Sequence, residues 1–233
     1  MPYYGFYFDP TYLLVLIGVV LCMIASARVK TTYKKYEKVG SRSGYTADQV
    51  AYMILRNAGI TDVSIHHISG DLTDNYNPKE HTLNLSDSVY GSRSIAAIGV
   101  AAHECGHAVQ HARAYAPLTM RSKLVPVVSF ASNIMTWVLL GGILMLNTFP
   151  QLLLAGIILF AMTTLFSFIT LPVEINASKR ALVWLSSSGI TNARNHTQAE
   201  DALRSAAYTY VVAALGSLAT LVYYIMIFMG RRE

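Results

Sequence analysis

Four apolar runs decide what this chain can become: Tyr12–Ala27, Leu124–Leu146, Gln151–Val173 and Ala206–Met229. Each approaches the length of about 20 residues that an α-helix needs to cross a bilayer. In lipid the backbone polar groups find no water, so such runs are viable only as helices. The composition agrees, with 53% hydrophobic and only 13% charged residues, and a water-soluble globular domain is excluded. The expected fold class is a mainly α membrane protein with four transmembrane helices and a small cytoplasmic α+β domain.

The net charge of +5 suggests nucleic acid until it is mapped. The basic residues lie beside apolar runs, which is a pattern of membrane orientation, and no nucleic-acid partner is expected. Segments 28–123 and 174–205 carry sixteen of the eighteen Lys and Arg, which places both in the cytoplasm. The "IASA" ending of the first run resembles a signal-peptidase site. Met1–Thr11, however, holds no Lys or Arg and only Asp9, so an uncleaved anchor with its N-terminus outside is expected. The order is then a membrane anchor (1–27), a cytoplasmic subdomain (28–123), a transmembrane hairpin turning at "NTFPQ" (124–173), a cytoplasmic segment (174–205) and a C-terminal transmembrane helix (206–233). Arg231 and Arg232 fall on the outer side of this scheme: either they are overridden or the last run does not fully cross. Cys22 lies in an apolar run and Cys105 in a polar motif, so no disulfide framework is expected.

Within the cytoplasmic subdomain, "YTADQVAYMILRNAGI" predicts a helix. Thr46 and Gln49 form a capping box, Gly59 a stop, and Val50, Met53, Ile54 and Ile60 a buried stripe. "VSIHHI", "LTDNYN" and "HTLNLS" follow as three short extended segments, with Gly70 and Pro78 at the turns. The expectation is a small antiparallel sheet. "NLSDSVY" is its candidate edge, where Asn84, Leu85 and Ser86 would pair with an extended substrate.

"SRSIAAIGVAAHECGHAVQHAR" predicts a helix of five or more turns. Its apolar part is too short to span and is expected to be buried in protein or to lie against the membrane. His103 and His107 are four residues apart, hence on one face and about 6 Å apart along the axis. Two imidazoles at that spacing can converge on a tetrahedral zinc, and Glu104, one residue round the helix, can take a proton from a water activated there. This is the H-E-x-x-H arrangement of zinc metalloproteases. The competing interpretation, buried polar groups satisfied by hydrogen bonds, suffers from the cost of unpaired charge in so apolar a helix.

His111 cannot complete the set, because it lies about 12 Å from His103 along a continuous helix. A helix broken by glycine before a third histidine is also excluded, since Gln110 and Arg113 occupy the positions required. Glu174, at the end of an apolar run in "TLPVEINASKR", is the best candidate for the third ligand. The topology returns it to the cytoplasmic side, where the motif helix already is. His66 and His67 compete, but adjacent residues of an extended segment point to opposite faces, so at most one could contribute.

The stretches "GDLTDNYNP", "SRSIAAIGVAAHECGHAVQ", "LPVEINASKRA" and "AAYTYVVAAL" resemble the membrane-bound YugP-type neutral zinc metallopeptidases over nearly the whole chain. The resemblance implies a membrane zincin, distantly similar to HtpX-type proteases, with one zinc ion per chain. Those proteases carry Glu-x-x-x-Asp at the third ligand; here Ser178 stands at the aspartate's place and would orient a zinc-bound histidine. A multi-pass protein of a bacterial cytoplasmic membrane is implied, with its active site on the cytoplasmic face. The substrates would be polypeptides, membrane proteins among them, and other membrane quality-control proteins would be partners.

For the oxyanion of peptide hydrolysis, Tyr210 is the first candidate donor, ahead of Arg180 and His196. Three alternatives compete. An intramembrane site-two-type protease would need a second motif that this chain lacks. A metal transporter would need more ionisable residues in its spans. A zinc-stabilised scaffold or quality-control partner without strong catalysis would have no use for Glu104. The charge asymmetry itself makes a prediction. Single cysteines at Ser43 and Thr191 are expected to be shielded from an impermeant thiol reagent in intact cells, and one at Asn147 to react. Labelling of Ser43 from outside would invert the orientation.

Overall fold

In the computed structural model, which describes residues 12–41 and 43–230, the apolar runs become helices that outlast them. Helix α1 spans Tyr12–Tyr36, α4 Ala116–Leu144, α5 Pro150–Ser187 and α6 Ala193–Met229. All four are long and apolar enough to cross a membrane, at 25, 29, 38 and 37 residues. At 1.5 Å per residue α5 rises about 57 Å, well beyond the roughly 30 Å of a hydrocarbon core. The polar segments after the first and third runs, and before the fourth, are therefore helical extensions rather than separate pieces. Their periodicity shows why: Ala177, Ala181 and Leu185 are buried one turn apart on α5, as are Ala199 and Leu203 on α6. The expectations for Met1–Thr11 and Arg231–Arg232 lie outside the described residues.

The described chain divides into two units. One comprises residues 12–24, 123–169 and 211–230. Its helices α4 and α5 approach closely through glycine. A Cβ on Gly142 would lie 2.5 Å from Leu153 Cα, and one on Gly156 2.7 Å from Leu139 Cδ2, so Leu139, Leu153 and Ile157 form its small core. Outward it shows Ile17, Phe130, Trp137 and Leu165, a surface suited to lipid and not to water.

The other unit comprises residues 25–122 and 170–210. Helix α2 spans Ala47–Asn57. It starts where the Thr46 N–H donates to Gln49 Oε1 at 3.0 Å, and it ends at Ala58, ahead of Gly59, whose φ of 76° favours glycine. Val50 and Ile54 bury its apolar stripe. Strands β1 (Ser64–Ile68), β2 (Asn75–Asn77) and β3 (Thr82–Ser86) form one sheet in the order β1-β3-β2. Helix α3, Ile95–Ala112, begins at Ser94, whose Oγ accepts from the Ala97 N–H at 3.1 Å. Twelve of its eighteen residues are buried, so it is a core helix and not a membrane-surface one.

The sheet corrects one expectation. It is mixed, with β1 parallel to β3 and β2 antiparallel to it. The three-residue β2 pairs as a hairpin with β3 through the turn at Pro78–His81. That leaves β3, whose Leu83 and Leu85 are fully buried, to take the centre. Asn84, Leu85 and Ser86 therefore lie on an inner strand with no free edge. Asn84 Nδ2 donates to Asn75 Oδ1 at 3.0 Å. The Ser86 N–H and hydroxyl both donate to the Asp74 carboxylate, at 2.8 and 2.9 Å. These three residues cannot recruit an extended peptide; the edges of the sheet are β1 and β2.

Candidate metal centre

Helices α3 and α5 cross where α3 has no side chain. A Cβ on Gly106 would lie 2.7 Å from the Ala177 carbonyl oxygen and 3.0 Å from its Cα. Any other residue would push the helices apart. At this crossing the α3 histidines meet Glu174 of α5. His103 Nε2 lies 3.3 Å and His107 Nε2 3.4 Å from Glu174 Oε2. Among the described residues these three side chains are the one group of His, Cys, Asp and Glu whose donor atoms all fall within 4.8 Å of one another. They are secluded, with side-chain exposures of 15, 12 and 4%.

Both imidazoles are held from behind. His103 Nδ1 is 3.0 Å from Ser178 Oγ, one turn beyond Glu174. His107 Nδ1 donates to Gln110 Oε1 at 3.1 Å. Gln110, itself fully buried, donates through Nε2 to the Val173 carbonyl at 2.8 Å and to Asn176 Oδ1 at 3.0 Å. The second Glu174 oxygen lies 3.3 Å from Arg121 Nη1. Each Nδ1 being engaged, each Nε2 is left to face Glu174, which is how second-sphere partners orient metal-ligating histidines.

Glu104 stands beside this group and lines a cavity of about 210 Å³ with His103, Glu174, Ser178 and Tyr210. Among the described residues its carboxylate has no hydrogen-bond or ion-pair partner. Burial pushes its pKa above the ordinary value, with His103 and His107 opposing. Cys105, one residue round the helix, is buried with its Sγ 3.6 Å from the Ala51 carbonyl and is not among the converging donors.

The donor set fits zinc: two neutral imidazoles and a carboxylate, with a cavity where a fourth position would open. Bonds of about 2.0–2.1 Å in tetrahedral array hold donors roughly 3.3–3.4 Å apart, which is the spacing of Glu174 Oε2 from both imidazoles.

The other sequence candidates lie elsewhere. His111 Nδ1 is 3.0 Å from the Tyr76 hydroxyl. His66 Nε2 is 2.9 Å from Ser64 Oγ, and His67 Nε2 2.7 Å from Asp87 Oδ1, both histidines being exposed on β1. Tyr210 reaches the cavity, whereas Arg180 and His196 do not line it; Arg180 bonds Asn176 and His196 faces Thr191. The sequence alone assigns no supporting role at the site to Gln110, Asn176 or Arg121. A glutamine three residues after a ligand histidine, in an apolar helix, is a usable signal for the first. Arg121 sits on a different helix and carries none.

The profile of a family described as "Putative neutral zinc metallopeptidase" matches residues 11–229. The chain is also similar to a protein described as "Putative membrane protease YugP" from Bacillus subtilis (strain 168). The two are 43% identical over 209 residues, covering 90% of this chain and 92% of that protein. No solved structure gives a significant match.

The geometry predicts the metal content of three variants. Glu174→Ala, which leaves two protein donors, is expected to lose most bound zinc, and Glu174→Gln nearly as much. His111→Ala should bind like the unaltered protein. Zinc per chain by elemental analysis checks this; full zinc in Glu174→Ala with loss in His111→Ala would reassign the third ligand.

Proposed function

The chain belongs to the family of neutral zinc metallopeptidases, and on that premise we propose that it is an integral membrane peptidase in which Glu104 is the general base. One observation carries this reading: an unpartnered, half-buried carboxylate lines a cavity together with His103 and Glu174, two of three convergent metal donors. His103, His107 and Glu174 would hold one zinc ion per chain. Zinc bound there supplies a Lewis acid that activates water and polarises a carbonyl.

The remaining work falls to the protein. Glu104 takes the proton of the attacking water and returns it to the departing amine. Ser178 and Gln110 keep the imidazoles aimed, and Arg121 holds the second oxygen of Glu174. Tyr210, on the same cavity, is placed to donate to the developing oxyanion.

An extended polypeptide would bind along β2 rather than β3. Leu72 and Asp74, which lead into β2, line the cavity, and an edge strand offers backbone groups to a peptide. We assign the site to the cytoplasmic face of a bacterial cytoplasmic membrane on the Lys and Arg distribution, with membrane proteins among the substrates. A zinc-stabilised scaffold or quality-control partner is the weaker reading, because a purely structural site closes its fourth position and has no use for a free carboxylate beside it.

Glu104→Gln is expected to retain zinc and lose turnover of a casein-like substrate by on the order of 10²-fold or more. Full peptidase activity in that variant would end this mechanism.

A further inference from the structure

A second cavity, of about 380 Å³, opens on another face of α3. Its floor is apolar, formed by Ile54, Ala102, Val109 and Trp184, while Arg113, Lys179 and Arg180 stand on its wall. No Asp or Glu lines it, and among the described residues none of the three cations has a carboxylate partner. Three like charges over an apolar floor repel one another until an anion joins them. A soluble anion would use the cations and leave the floor bare; an anionic amphiphile uses both. Lys179 follows Val173, the end of the apolar run, by six residues, about 9 Å of helix. With the apolar run ending at the edge of the hydrocarbon core, Lys179 would stand at headgroup depth rather than acyl-chain depth.

Arg180 also connects this cavity to the metal donors. Its Nε donates to Asn176 Oδ1 at 2.7 Å. Gln110 Nε2 donates to the same oxygen, and the Gln110 carbonyl accepts from His107 Nδ1. Three hydrogen bonds thus link a cation on the cavity wall to one donor of the proposed zinc site.

We propose that this cavity binds the headgroup of an anionic phospholipid, and that Arg180, Asn176 and Gln110 are positioning residues that couple its occupancy to the hold on His107. The coupling rests on the zinc-site reading; the lipid site does not. Reciprocity requires that lipid tighten zinc binding by the same factor as zinc tightens lipid binding.

The test uses the full-length protein with phosphatidylglycerol as probe. Phosphatidylcholine is the neutral control and inorganic phosphate the soluble-anion control. Native mass spectrometry is expected to show phosphatidylglycerol retained in preference to phosphatidylcholine and not displaced by phosphate. Replacing the two exposed cations together, Arg113→Gln with Lys179→Gln, should lower retention on the order of tenfold with zinc content unchanged. Equal retention by the double variant, or displacement by phosphate, would overturn the lipid site. In nanodiscs, zinc affinity measured by equilibrium competition with a chelator should be tighter with phosphatidylglycerol than without it, and Asn176→Ala should abolish that difference. Lipid-independent zinc affinity of the unaltered protein would overturn the coupling. Neither readout needs turnover, so an inactive peptidase would leave both decisive.

Discussion

The backbone contact between Gly106 and Ala177 is the constraint on which the site depends. An α-helix can present two imidazoles four residues apart, but it cannot present a third donor to the same point from its own length. The third must come from another helix, and a carboxylate on a short stem reaches only if that helix comes very close. The absent Cβ at Gly106, where one would lie 2.7 Å from a backbone carbonyl, allows this. The glycine inside "HECGH" is thus as much part of the proposed metal centre as the two histidines of that motif.

Seclusion then sets the electrostatics. Two imidazoles and two carboxyl groups lie together at low exposure beside a half-exposed guanidinium, an arrangement that is costly unless every charge is opposed or hydrogen-bonded. Four of the five are so held. Glu174 is shared among His103, His107 and Arg121, while Ser178 and Gln110 secure the far side of the imidazoles. Glu104 is the exception, and burial raises its pKa accordingly. A residue that breaks the rule of satisfaction inside an otherwise satisfied cluster is where chemistry is expected.

Much of this was legible in the chain itself. The spans, the capped helix α2, the three strands and the motif helix each carry a local signature: length, capping pair, turn residue or period. Glu174 stood out because carboxylates at the end of an apolar run are rare, whereas Ser178 was marked only by the family resemblance. What failed was what local signals do not encode. The pairing order of three short strands depends on which one the core claims, so β3 took the centre and Asn84, Leu85 and Ser86 lost the role foreseen for them. The helical continuation of the spans was hidden because charged residues interrupt the apolar runs while the buried stripe of small residues continues. Gln110 and Asn176 read as ordinary polar residues until α5 lies against α3, and Arg121 carries no mark at all.

The identity of the donor atoms tests the account most directly. Zinc K-edge X-ray absorption on the purified, membrane-embedded protein reports them without reference to turnover. Two imidazole nitrogens with only oxygen in the remaining positions, and no sulfur, is the result predicted by His103, His107 and Glu174. A third imidazole, or a sulfur donor from Cys105, would contradict it.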